Sequence, residues 1–420
     1  MRSSRVWKRL LGVEHTVIES VELVEFDDRE RGEEIVVARV RPTRSRRLRC
    51  SRCGRRCRGY DRGDGRRRWR ALDLGTVRCY LEAEAPRVSC PEHAVVVAAV
   101  PWARPGARCT TGFEDTTAWL AAHAAGSTVA ELLRVTWRTV TAIVTRVVAD
   151  LAGRVDLLDG LERIGIDEIA HRKGHRYLTV VVDQVTGRIV WASPGRDAAT
   201  LRGFFDALGE ARSAAITHVS ADGAEWIHTV VTERAPQAVL GMDPFHVVAW
   251  ATKALDEVRR GTWNELRTTG RTEAAKTLKG SRWALIKNPE DLTGEQQATL
   301  ASITKTNRRL YRAYLLKEQL REVFAAKGQW GRRLLAGWLS WARRSRIPAF
   351  VKLAKTIERY KQLILNTLDH GMSNAKSEAT NTHLRVLTRR AYGFHTADAL
   401  IAMAMLTRGG LCPPLPRRTT

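Results

Sequence analysis

Three runs, LERIGIDEI (161–169), HRYLTVVVD (175–183) and GRIVWAS (187–193), decide the fold of this chain. They are rich in Ile, Val, Tyr and Trp and are separated by short turns, the pattern of three strands in an antiparallel meander. Beyond them the sequence predicts a helix at 198–211, a strand in AITHVSA (215–221), a helix near 224–234 and a strand in QAVLGM (237–242). A meander followed by alternating helices and strands predicts a mixed α/β sheet.

Acidic residues fall where such a sheet builds a site. By the period of two, Ile164 and Ile166 point into the core and leave Asp167, at the end of the first strand, on the opposite face. Asp222 closes the fourth strand in HVSADGAEW (218–226), where the chain turns into a helix. Ends of adjacent strands are where open α/β sheets bind ligands. Glu378, in SNAKSEATNTHLR (373–385), lies on a predicted helix placed to pack beside the sheet. Three converging acids can hold two divalent cations about 4 Å apart, and oxygen ligands favour Mg²⁺ or Mn²⁺. Spacing alone leaves Glu168, Asp183 and Glu225 as alternatives, and aspartates at strand ends are also ordinary turn formers.

The rest of the chain arranges itself around this core. Residues 1–40 form an N-terminal segment ending near a strand, EEIVVARVRP (33–42), and 41–100 a cysteine-bearing segment. PWARPGAR (101–108) looks like a linker, and 110–152 carries helical periodicity. The core's first part spans 160–245. A helical insertion covers 246–371, with breakers at Gly261, Gly270, Pro289 and Pro348. Six of the thirteen tryptophans fall in it, which suits self-packing, DNA contact or dimerisation alike. A last helical part, 372–410, returns to the core. The 420 residues therefore predict a multidomain α/β chain.

Charge narrows the partner. Seventy Lys and Arg against 45 Asp and Glu give a net charge of +25, so a polyanion is expected. No apolar run is long enough to span a bilayer and the start lacks a secretory apolar stretch. The expected partner is therefore nucleic acid in the cytoplasm, in association with the nucleoid, rather than a membrane.

Cys50-x-x-Cys53 is followed, after 36 intervening residues, by Cys90-x-x-His93. Two such tight turns supply a tetrahedral set of soft ligands for a structural Zn²⁺, with the intervening strands as a hairpin joining the halves. Cys57 or Cys79 can replace a member of the set. Thirteen arginines lie between Arg44 and Arg70, a density that suits phosphate contacts.

STVAELLRVTWRTVTAIVTRVV (127–148) has the form of a helix-turn-helix. Thr128 and Glu131 form a capping-box pattern for the first helix, and Thr136 is placed to N-cap the second. Val140, Ile143, Val144 and Val147 then share a buried face. Arg138, Thr139, Thr141, Ala142, Thr145 and Arg146 face out, a surface that suits a major groove. A plain αα-hairpin is the competing reading.

The stretches IGIDEIAHRKGHRYLTVVVD (164–183), SADGAEW (220–226), MDPFH (242–246) and SEATNTHLRVLTRRAYGF (377–394) are similar to motifs of bacterial insertion-sequence transposases called the ISL-three family. The resemblance covers nearly the whole chain. It implies an RNase-H-like core whose DDE triad is Asp167, Asp222 and Glu378, preceded by a zinc-binding segment and a helix-turn-helix. It also implies double-stranded DNA partners (transposon ends and target) and a homodimer or higher oligomer. Family members vary in the second zinc-ligand pair, here Cys90 and His93. Asp243 and His246 resemble an Asp-x-x-His motif of DDE transposases, although an aspartate there is also a helix cap. Lys173, His175 and Arg176, in the turn after the first strand, suit either the DNA backbone or a solvated hairpin tip. The expected reaction is metal-dependent cleavage at the transposon end followed by strand transfer. A catalytically silent DNA-binding regulator and a nuclease without strand transfer are the alternatives.

Overall fold

The structure, a computed structural model, describes residues 2–26, 33–172, 174, 176–372, 375–391 and 393–415. The chain divides into two compact units, Met1–Val155 with Arg390–Thr420, and Asp156–Arg389.

In the first unit α1 (Arg2–Leu11) precedes β1 (Thr16–Phe26) and β2 (Glu33–Pro42). The cysteine-bearing segment then supplies β3 (Arg58–Asp61), β4 (Arg66–Leu74), β5 (Val77–Glu84), β6 (Arg87–Cys90) and β7 (Ala94–Val97). These do not form one hairpin-linked ribbon as expected. β4 and β5 leave it to join the N-terminal strands in the order β1-β2-β5-β4, and β3-β6-β7 form a separate sheet. The reason is apolar burial. Trp69 and Leu81 of the β4–β5 hairpin pack with Ala38 and Val40 of β2 and with Trp102, whereas β3 is exposed along its length.

Trp102 belongs to the run expected to be a linker, yet it is buried edge-on against Trp69, with ring centroids 5.5 Å apart. Two residues on, Arg104 is also buried. It donates to Asp150 at 2.8 Å and to Asp115 at 2.7 Å, and it pairs with Glu114 at 3.3 Å. Pro and Gly shape the backbone of this segment, but its two large side chains anchor it. The acids come from α2 (Thr111–His123) and α4 (Trp137–Ala152); α3 (Gly126–Leu132) lies between them. Glu114 is fully buried and its proton affinity is raised, burial being the largest cause and the charges of Arg146 and Arg104 opposing it. Removing Arg104 would take one of two cations from buried Glu114 and the ion-pair partner from Asp115, at a cost of up to about 3–5 kcal/mol, the scale of breaking a buried pair. Arg104→Ala is therefore expected to lower the melting temperature of the full chain markedly, and an unchanged melting curve would contradict this reading.

The second unit begins with β8 (Arg163–Arg172), β9 (Arg176–Asp183) and β10 (Ile189–Pro194), the expected meander. The helix predicted at 198–211 is two, α5 (Ala198–Leu208) and α6 (Glu210–Ala215), because Gly209 takes φ +81° between them. β11 (His218–Ala221), α7 (Glu225–Arg234) and β12 (Val239–Met242) follow. The sheet order is β10-β9-β8-β11-β12, antiparallel in the meander and parallel from β8 through β12. One face buries Ile164, Ile166, Val181 and Val219 against Phe204 and Phe205 of α5 and Val230 of α7. The period of two read this face correctly.

The insertion is helical, as expected: α8 (Pro244–Thr268), α9 (Thr272–Lys279), α10 (Arg282–Ile286), α11 (Gly294–Thr306), α12 (Arg308–Ala326), α13 (Gly328–Arg344), α14 (Pro348–Arg359) and α15 (Lys361–His370). It has its own apolar core, centred on Trp338, whose indole N–H donates to the Leu316 carbonyl at 2.7 Å. Trp250, Trp263 and Trp341 pack against that core, while Trp283 and Trp330 are exposed. The core also takes in Met242 of β12. Thr367 and Asn366 of α15 donate to the Met242 and Leu240 carbonyls, both at 2.8 Å.

The final segment does not return to the core as one piece. α16 (Ala375–Arg390) lies in the second unit up to Arg389, whereas α17 (Ala397–Arg408) belongs to the first, packed on α2 and α4. Its Leu400, Ala404 and Leu406 are buried. An apolar helical face gives no address in the sequence for the surface it covers.

Candidate active site and zinc centre

β11 pairs with β8 only as far as Ser220 opposite Gly165, and with β12 as far as Ala221 opposite Met242. Beyond the last paired residues the same register points Asp222 toward Asp167 on one side and Asp243 on the other; the Asp243 N–H still donates to the Ala221 carbonyl at 2.8 Å, and the charges of Asp167 and Asp222 both act on Glu168 and His246. Asp167 is thus not at the end of its strand, since it pairs with Val180 of β9. It lies where the parallel part of the sheet ends and the β8–β9 hairpin runs on alone.

Asp167 is 8% exposed. Its Oδ1 accepts the Glu168 N–H at 2.7 Å and its Oδ2 accepts Asn381 Nδ2 at 2.5 Å. Burial raises its proton affinity, and the backbone and Asn381 hydrogen bonds oppose this. Glu168 is pushed up to about 7 by burial and then by the charge of Asp222, although it is paired with Arg196. Acids that raise one another's proton affinity in this way are relieved by a bound cation.

The Asp222 turn is held from several sides. Its Oδ1 accepts the Ala224 N–H at 2.9 Å, and its carbonyl accepts from His228 Nε2 at 2.9 Å. The Gly223 carbonyl accepts from Tyr360 Oη at 3.1 Å. A Cβ on Gly223 would approach the Trp250 ring to 3.2 Å. Trp250 and Tyr360 both come from the insertion, which therefore buttresses this turn. Asp243 N-caps α8, accepting the Phe245 N–H at 2.9 Å, and receives His246 Nδ1 at 2.8 Å. The cap and the His pair are both present. The Asp243 hydrogen bond raises His246 above its ordinary proton affinity, with Asp167 and Asp222 adding to it.

Glu378 is exposed in the first turn of α16. One helical turn on, Asn381 makes the contact to Asp167. Sequence reasoning missed Asn381, although its i+3 spacing from Glu378 was the available signal. Asp183 is instead a turn former, accepting the Val185 N–H at 2.8 Å. Glu225 is exposed and lies 3.7 Å from Arg359. Lys173 and His175 lie outside the described residues; Arg176 is exposed at the start of β9.

Cys50, Cys53, Cys90 and His93 bring their ligand atoms within 4.8 Å of one another. Cys53 Sγ lies 3.7 Å from Cys90 Sγ, and His93 Nδ1 lies 3.7 Å from Cys50 Sγ and 3.6 Å from Cys90 Sγ. A tetrahedral zinc ion with ordinary bond lengths has edges of about 3.8 Å between sulfurs and about 3.6 Å between sulfur and nitrogen. The residues fit zinc. Burial raises the Cys90 thiol, but the Glu92 and His93 N–H groups outweigh it and bring Cys90 down to about 7, favouring the thiolate. Cys57 donates instead to the Arg55 carbonyl, and Cys79 is buried in the other sheet, its thiol pushed up to about 11 mainly by burial. Among the described residues the carboxylates are not drawn together to this degree; their hard-oxygen chemistry suits a divalent cation even so.

In the helical module Thr136 caps α4, accepting the Thr139 N–H at 3.2 Å. Val140, Ile143, Val144 and Val147 are buried as expected. Thr128 is no cap, because α3 starts earlier, at Gly126 with Ala125 as N-cap. Arg138 is exposed, with its guanidinium 5.3 Å over the Trp137 ring. Thr139 and Thr141 are half-buried. Arg146, expected to face out, is paired with buried Glu114. A buried carboxylate on another helix is invisible to helical periodicity.

Three family models match the chain. One described as a transposase covers 164–404; a helix-turn-helix domain of transposase family ISL3 covers 98–148; and a zinc-finger of transposase IS204/IS1001/IS1096/IS1165 covers 46–93. Among relatives, the chain is 55% identical to the transposase for insertion sequence element IS1557 of Mycobacterium tuberculosis, over 100% of this chain and 98% of that protein. It is 29% identical to the transposase for insertion sequence element IS1001 of Bordetella parapertussis, over 83% of this chain and 86% of that protein.

Proposed function

The chain belongs to the insertion-sequence transposase family ISL3, and on that premise we propose that Asp167, Asp222 and Glu378 are its catalytic carboxylates, carried on an RNase-H-like core. The enzyme cuts DNA and transfers strands, and its helix-turn-helix domain binds DNA. The observation that supports the assignment is that Asp167 is buried and accepts from Asn381 of α16, while Asp222, just past the end of the neighbouring parallel strand, shares its electrostatic neighbours Glu168 and His246. Bound at these carboxylates, Mg²⁺ or Mn²⁺ would supply activation of the attacking oxygen and charge stabilisation at the leaving oxygen.

The protein's own part is positioning. The insertion fixes the Asp222 turn, Asn381 orients the Asp167 carboxylate, and Asp243 with His246 closes the cluster on its β12 side. The zinc ribbon and the exposed face of α4 around Arg138 recognise the ends of double-stranded transposon DNA, and Arg176 follows the backbone near the reacting strand. Two ends must be brought together, so the working form is a homodimer or larger, acting at the nucleoid in the cytoplasm. Among the described residues no helix is long and apolar enough to cross a membrane. The segments act as a zinc-binding unit (41–100), a helix-turn-helix (110–152), core parts (160–245 and 372–410) and an insertion (246–371).

Joining of a donor end to target DNA by the purified chain tests the reading. Cleavage without joining would leave a nuclease, and binding without cleavage a regulator. Arg138→Ala is expected to weaken end binding roughly tenfold and to reduce its salt dependence by about one phosphate contact. Unchanged affinity and salt slope would remove α4 from the interface.

A further inference from the structure

A cavity of about 360 Å³ opens in the second unit, lined among others by Arg163, Gln184, His218, Ser220, Met372 and Lys376. It lies toward the N-terminal ends of β8 and β11, while Asp167 lies farther along β8 and Asp222 follows the end of β11. No carboxylate is among its described lining residues.

Among the described residues, the contacts made by the cations around it are to neutral groups. Arg163 Nη2 donates to the His370 carbonyl at 3.4 Å, and Lys376 Nζ donates to the Val185 carbonyl. His218 Nε2 and His370 Nδ1 share a contact at 3.2 Å. Burial, then Arg163 and His370, hold His218 below its ordinary proton affinity. In the same cavity Ser220, 3% exposed, has a buried hydroxyl with no hydrogen-bond partner among the described residues. A buried hydroxyl that bonds to nothing is costly unless something comes to it. α16 begins at the rim, and the positive end of its dipole adds to the field.

We propose that this cavity binds a phosphate group, with Arg163 and Lys376 as its charge partners and Ser220 as a hydrogen-bond partner. Its volume suits a ligand of mononucleotide size. The same chemistry is offered by a phosphate of bound DNA, and the two sources are separable. Neither depends on the assignment of the catalytic triad.

The test is calorimetric titration of the full chain with inorganic phosphate and with a 5′-mononucleotide, repeated on Arg163→Gln, Lys376→Gln and Ser220→Ala. The serine variant keeps the fold, because it removes only an unpartnered buried hydroxyl. Saturable binding that weakens at least tenfold in each charge variant, and measurably in Ser220→Ala, is expected. Competition of the mononucleotide with end DNA would identify a DNA phosphate as the occupant, and independent binding a free ligand; both uphold the site. Binding that is absent, or equal in the wild type and all three variants, would overturn it.

Discussion

Asp167→Asn and Asp222→Asn should each reduce donor-end joining by about 1000-fold, the scale of losing a group that organises transition-state charge, while end binding stays within a factor of two or so. The substitutions are isosteric, so the backbone around them is preserved. Asp167 gives the sharper experiment. Burial raises its proton affinity, so its charge opposes folding when no cation is bound. The amide removes that charge and keeps one acceptor, for Asn381 or for the Glu168 N–H, so relief of the buried charge offsets the loss of one hydrogen bond. Asp167→Asn should therefore melt no lower than the wild type in metal-free buffer, and higher if the charge persists there. A merely structural aspartate would instead lose stability together with activity. Asn381→Ala should give a partial form of the same defect, since it frees the carboxylate without removing it. Asp183→Asn, by contrast, should disturb a turn and lower stability with little change in joining per folded molecule.

Zinc removal should have the other large effect. Cys50→Ser should leave the protein without zinc, abolish specific end binding and loosen the β3-β6-β7 sheet, while the second unit keeps its own folding transition. Structural zinc couples on the order of 10 kcal/mol to folding in small domains. The β3-β6-β7 sheet has little else to hold it: β3 is exposed along its length, and its neighbours are short. The β4–β5 hairpin, in contrast, is secured by the core around Trp69 and Leu81. Proteolysis should therefore open the chain near Cys53 rather than between Trp69 and Leu81. Cys57→Ser is the control, because that thiol bonds to a carbonyl instead of joining the quartet. It should retain one zinc per chain by metal analysis; loss of zinc in this variant would mean that the ligand set is misassigned.

Local pattern carried much of this structure. The meander was legible because period-two alternation needs no knowledge of distant residues, and the Cys/His quartet because two tight turns set ligand spacing directly. What failed depended on distant partners. Arg104 and Arg146 look like solvated charges in sequence, and only the burial of Glu114 draws them inward. The run 101–108 reads as a linker from Pro and Gly, but Trp102 is paired with Trp69 from another strand. Residues 33–42 read correctly as a strand, yet nothing local told that β5 would lie parallel beside it. At the proposed site Asp222 was legible as a strand-end acid, whereas Asp167, read the same way, lies within β8, because the β8–β9 hairpin runs on past the parallel part of the sheet. Asn381 was not legible, since an asparagine on a helix has many solvated counterparts.

Glu378 is the member of the triad that rests least on contacts of its own, so it decides the central claim. The measurement is joining of a pre-cut donor end by Glu378→Gln, with end binding measured on the same preparation. The account predicts normal binding and joining reduced by about 1000-fold. Joining at the wild-type rate would show that the third carboxylate lies elsewhere.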